Sequence, residues 1–137
     1  MEGIELRARR VALGLSVAEA ARLAALSEKH WRECEAGRSR VPEHAAEAMR
    51  ALYNTVSERI VEALDAVEAA YDETGEPVPL FAYKTIEAFD KAGGESRYGL
   101  PWSAHTALVG LILVVCEVDE LPAYIHGIHH NDMEVEA

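Results

Sequence analysis

Apolar positions recur every three or four residues along most of this chain, and the breaks in that rhythm delimit its elements. Leu6 and Leu13 lie seven apart on one face of a first helix, Gly3 to Leu13, which Gly14 ends. Ser16 precedes VAEAARLAAL with Glu19 three residues on, a capping box that opens a helix at about 16–24. Ser27 precedes EKHWRECEA and Gly37 follows it, so a helix over 27–36 is capped at both ends. Val17, Ala20, Ala21 and Leu26 supply an inner face, and Trp31 and Cys34 continue it as buried side chains.

Pro42 opens a fourth helix, where proline suits the first turn. Ala45, Met49, Leu52, Val56, Ile60, Ala63, Val67 and Ala70 keep one of its faces apolar. It either runs unbroken to about Asp72 or breaks near Asn54–Thr55. About 30 helical residues would span about 45 Å, more than a small domain needs, so the helix is expected to join two parts. ETGEPVP at 73–79 ends it. LFAYK then reads as a strand and TIEAFDKA as a short helix closed by Gly93–Gly94. Pro101 and Ser103 begin a last helix to about Val118, apolar almost all round and so expected to be buried on several sides. The expected division is a first domain over 1–72 including the long helix, a second region over 76–120, and a flexible tail over 121–137.

The helix over 27–36 turns Glu28, Lys29, His30, Arg32 and Glu33 outward. Two short helices joined this closely, the second polar outside, form a unit shaped to enter the DNA major groove. Lys29 and Arg32 carry donors for guanine O6 and N7, and Glu33 can accept from cytosine N4 or orient Lys29. With His30 they make the candidate base-reading set; an ordinary solvated face with salt pairs is the other reading of these four. Arg38, Ser39 and Arg40, in the loop before the next helix, suit phosphate contact, which positions without specifying sequence. Arg22 joins them. Arg9 and Arg10 are weaker candidates, being expected to pair with Glu5 or Glu19.

The run LxxxRxxxGLSxxExAxxxxLSxxxWxxxExG from Leu6 resembles the helix-turn-helix of phage-repressor-type (Xre/Cro-like) regulators. HWRECEAGRSRVPEHAAEAM is similar, more narrowly, to the YdiL-like proteins and the anti-CRISPR-associated repressors, through Trp31, Glu35, Gly37 and Pro42. The likeness spans about residues 3 to 118 and is strongest to residue 54. It departs at Cys34, where many such regulators have tryptophan, and at Val17, where many have glutamine. The resemblance implies a mainly α protein, a lambda-repressor-like helix-turn-helix domain followed by a small α+β dimerisation region. It implies a homodimeric autorepressor on a palindromic duplex operator. The dimer surface is expected from Leu80, Phe81 and Tyr83 on the strand and Leu108, Leu111 and Ile112 on the last helix.

Charge sharpens the division. Net charge is −11, yet residues 1–54 hold nine Lys or Arg against eight Asp or Glu, and residues 55–137 hold four against sixteen. The first part can meet phosphate while the second faces away; a solvated acidic surface gives the same count. No charged and apolar leader opens the chain, and Ala107–Cys116 is too short to span a bilayer, so a cytoplasmic protein without membrane contact is expected. Cys34 and Cys116 fall in expected core, with no disulfide framework. Cys34 with His30, and His126, His129 and His130 with Asp132 and Glu134, have too poor a ligand set to predict a metal site. Ser103 and His105, two apart on a helix, cannot face each other, and no catalytic set or cofactor motif emerges. Two other partners stay open: a protein bound by the acidic second half, as in an antitoxin, and RNA bound by the same basic surface.

Overall fold

The computed structural model describes residues 1–133, which divide into two compact units, residues 1–58 and the described residues from 59 onward. The chain is mainly helical. In the first unit α1 (Gly3–Ala12), α2 (Val17–Leu23), α3 (Glu28–Glu35) and the start of α4 (Glu43–Thr74) enclose one core. Leu6, Ala20, Trp31, Cys34, Ala45 and Met49 are its fully buried members. Pro42 sits just ahead of α4, where its carbonyl accepts the amides of Ala45 and Ala46.

α4 is a single helix of 32 residues and does not break at Asn54–Thr55. Its polar stretch stays helical because the hydroxyls turn back on the helix. Thr55 Oγ1 donates to the Ala51 carbonyl at 3.1 Å and Ser57 Oγ to that of Tyr53 at 2.9 Å. Gly75, at φ 68°, closes α4 by donating its amide to the Tyr71 carbonyl.

In the second unit the remainder of α4 is followed by β1 (Val78–Tyr83), α5 (Ile86–Lys91), α6 (Gly94–Tyr98), α7 (Trp102–Val118) and β2 (Ala123–Ile128). β1 and β2 pair in parallel, from Val78 opposite Ala123 to Tyr83 opposite Ile128. Parallel neighbours need a long crossover, and α5 to α7 supply it. Two elements differ from expectation. Residues 123–128, placed in the flexible tail, form a strand, because β1 offers them a ladder that local composition does not reveal. α5 ends before Gly93 at φ 118°, as expected, but Gly94 to Tyr98 then form the short helix α6, which the sequence reading does not contain.

α7 also differs. It buries Ala104, His105, Leu108, Val109, Ile112 and Cys116, but leaves Leu111, Val114 and Val118 exposed. Burial of α7 is one-sided, and its other side is left uncovered among the described residues. Among the described residues no helix is long and apolar enough to cross a membrane.

Candidate nucleic-acid interface

The two helices of the motif, α2 and α3, are fixed by their own ends. Ser16 accepts the Glu19 amide at 3.1 Å while Glu19 accepts the Ser16 amide at 2.8 Å, the reciprocal box that starts α2. Ser27 accepts the His30 amide at 3.1 Å and starts α3. Between them the chain turns through Ala25, which holds φ 56° without being glycine. Gly37, at φ 76°, takes the left-handed position that ends α3.

α3 is held from beneath. Trp31 and Cys34 are both fully buried, so Trp31 packs in the core and is not presented to a base. Burial first, and the Glu33 charge second, raise the Cys34 pKa, so this thiol stays protonated. It donates weakly to the Arg40 carbonyl at 3.6 Å, which gives it a packing role. Arg10 reaches from α1 to the end of α3, its Nε donating to Glu35 Oε1 at 2.7 Å and its Nη1 to the Leu15 carbonyl. One interhelix clamp thus ties α1, the α1–α2 turn and α3. The sequence pairs Arg10 with Glu5 or Glu19, whereas in the structure its carboxylate partner is Glu35. The two had been fixed points of the motif, 25 residues apart, and spacing alone gives no sign that they meet.

The outer face of α3 carries the predicted base-reading set. Lys29 is exposed, with no hydrogen bond or ion pair among the described residues. Arg32 is exposed and meets Glu28 one turn back at 3.3 Å, a pair that water and salt weaken. His30 is half-buried beside them. Glu33 is different: its carboxylate accepts the Ser39 hydroxyl at 3.3 Å, and its carbonyl accepts the Arg38 and Ser39 amides. It braces the following loop and does not pair with Lys29. Ser39 is correspondingly turned toward Glu33.

That bracing presents the cations of the loop. Arg38 and Arg40 are both exposed. Arg22, exposed near the end of α2, is already engaged in an intramolecular interaction. Arg9 is committed to Glu5 at 3.0 Å and lies over the Tyr53 ring. Of the candidate contact residues, Lys29, Arg38 and Arg40 are left open to a polyanion, with Arg32 releasable from an exposed pair.

The residues expected at a dimer surface are split. Leu80, Leu108 and Ile112 are buried within the second unit, Tyr83 is partly buried, and Phe81 and Leu111 are exposed. Of the tail histidines, His129 and His130 lie with their ring centroids 4.1 Å apart. His126 meets the Phe81 ring edge-on, His130 contacts Thr85 at 3.2 Å, and His129 accepts the Asn131 amide. Asp132 meets the His129 amide, and Glu134 lies outside the described residues.

No curated protein matches the chain. The family model for the helix-turn-helix domain matches residues 3–76, more than half of the sequence and all of the first unit's helices. With a capped α2, a tight turn and a polar-faced α3 on a shared core, the chain belongs to the helix-turn-helix domain family, whose members bind DNA.

Proposed function

We propose that this protein is a sequence-specific transcriptional repressor, a homodimer that reads an inverted repeat through α3. The observation that carries the proposal is the outer surface of α3 and its loop. Lys29 is uncommitted, Arg32 is held only by an exposed pair, and Arg38 and Arg40 follow immediately. Lys29, Arg32 and His30 read base edges, while Arg38 and Arg40 hold phosphates and set the register. Glu33 and Ser39 keep that loop in place. Likeness to the YdiL-like and anti-CRISPR-associated repressors supports an operator in the promoter of the protein's own operon.

Dimerisation draws support from α7. Leu111, Val114 and Val118 stand at helical spacing on one exposed side, and a Cβ at Gly110 would meet nothing within 4 Å. A second α7 could cover this stripe. Two recognition helices related by a two-fold axis would then read half-sites about one helical turn, roughly 34 Å, apart.

The test is selection of duplexes from a randomised pool at near-physiological salt. An inverted-repeat consensus with fixed spacing is expected. A folded protein that enriches no duplex would defeat the reading, and the acidic second unit would then point to a protein partner. Retention of structured RNA in preference to duplex would assign the same basic surface to RNA.

A further inference from the structure

The second unit carries an apolar groove that is open to solvent on its α4 side, where Ala66 is exposed. About 510 Å³ opens among the later turns of α4, β1 and α7, within the range of about 300–1,000 Å³ usual for small-molecule sites. Its cause is legible in the residues. α4 offers Ala63, Ala66 and Ala70 to the space, where larger aliphatic side chains would close it. Leu108 and Ile112 of α7 line it as well. A helix face built of alanine leaves room that a helix face of leucine would occupy.

The lining also has a polar part. The hydroxyls of Tyr83 and Tyr98 lie 2.5 Å apart, so one donates to the other and one hydroxyl hydrogen is left over from the pair. His105 packs against both rings, at 5.5 Å from Tyr83 and 4.7 Å from Tyr98, and is only 7% exposed. Its Nδ1 is buried and has no hydrogen-bond partner among the described residues. An apolar groove with a few converging polar groups is the usual build of a site that holds a small molecule in one orientation.

Charge narrows the class. Residues 59–137 hold four Lys or Arg against fifteen Asp or Glu, a field that opposes an anion. Both cations beside this cluster are already engaged: Arg59 donates to the Tyr98 carbonyl, and Arg97 lies over the Tyr98 ring with its Nη1 donating to the Ala92 carbonyl. Burial and the Arg59 charge keep His105 neutral, and burial with the Tyr98 hydrogen bond pushes the Tyr83 pKa up to about 12. The polar part of the wall is thus uncharged and can trade hydrogen bonds without needing a counter-ion.

We propose that this groove binds a small neutral molecule with an apolar body about the size of one or two rings and a single hydroxyl or carbonyl group. The body lies against the alanines of α4, and the polar group meets the His105 and tyrosine cluster. The site is independent of the DNA-binding reading and stands or falls without it.

The experiment uses the full chain with 1-naphthol as probe and 1-naphthoate as its anionic counterpart, followed through the alanine methyl resonances by NMR. Saturable shifts at Ala63, Ala66 and Ala70 with 1-naphthol are expected, and binding of 1-naphthoate about tenfold weaker. Ala66→Leu should fill the groove and weaken 1-naphthol by about tenfold or more while melting no lower than the parent. His105→Phe, which keeps the ring packing and removes the polar atoms, should also weaken it. The proposal is overturned by the absence of saturable shifts up to the probe's solubility, or by binding indifferent to Ala66→Leu. It is overturned equally if these methyls shift on dilution alone, because a second copy of the chain would then be the occupant.

Discussion

The guanidinium of Arg10 holds the carboxylate of Glu35 at 2.7 Å, with the two side chains only 15% and 10% exposed. A pair this far out of water contributes little over an apolar replacement of both partners, but removing one leaves the other charge buried and unmatched. Glu35→Ala is therefore expected to cost about 3 kcal/mol. The double variant Arg10→Met with Glu35→Leu should recover most of that loss. Denaturant midpoints check both; a single variant within experimental error of the parent would mean the clamp is not what positions α3.

Ala25 carries the left-handed backbone of the turn between α2 and α3, at φ 56°. An L-residue with a Cβ pays about 1–2 kcal/mol there, and glycine avoids this at an extra unfolded-state cost of about 0.5–1 kcal/mol. Ala25→Gly should stabilise the domain by about 0.5–1 kcal/mol. Thermal melts of the two proteins settle it, and a lower midpoint in the variant would count against strain at this turn.

Gly3 allows α1 to approach the end of α3. A Cβ built on it would lie 2.1 Å from the Cys34 carbonyl oxygen, a backbone atom that cannot swing away. Gly3→Ala must push the two helices apart and should cost about 1–3 kcal/mol, as overpacking does. Ala8→Gly, on the exposed side of α1, is a control with a propensity loss of about 1 kcal/mol. Equal losses in the two variants would show that the close approach carries no special cost.

The caps of the first unit were readable because each is local. Ser16 with Glu19, Ser27 and Gly37 satisfy backbone groups within three or four residues, and a linear pattern records that. Arg10 with Glu35 was not readable from spacing, since the chain must fold before the two meet. The same reason hid β2: YIHG has no strong alternation, and only the β1 edge makes a strand of it. α7 misled in the other direction. Its uniform apolarity implies burial all round, whereas Leu111, Val114 and Val118 face away from the chain's own core. Of the candidate interface, the outward face of α3 could be read from helical periodicity. The brace from Glu33 to Ser39 could not, since the loop conformation decides it.

The two groups of cations should separate in their effect on DNA. Lys29→Ala and Arg32→Ala each remove a base contact, and should cost about 1–3 kcal/mol on the operator while leaving random duplex nearly unaffected. Arg38→Ala removes a phosphate contact, and should weaken all duplexes alike with a salt slope reduced by about 0.9. Titrations of selected and scrambled duplexes at several salt concentrations distinguish the two. Uniform losses in all three variants would assign α3 to phosphate as well.

His105 should make the second unit sensitive to mild acid. Burial first, and the positive Arg59 second, hold its pKa below the ordinary 6.5. Tyr83, packed against it, is pushed up to about 12 and does not change charge in this range. As pH falls below 6.5 the unfolded chain takes up a proton that the folded one refuses, so stability rises with pH across this window. The contribution is fully present above the unfolded value and is lost as pH drops through the folded one. His105→Phe cannot titrate, so its melting temperature should fall less than the parent's between about pH 7 and the pH at which carboxylates begin to protonate, about 5. Parallel melting curves for parent and variant across that interval would show that this imidazole takes up its proton equally in the folded and unfolded chain.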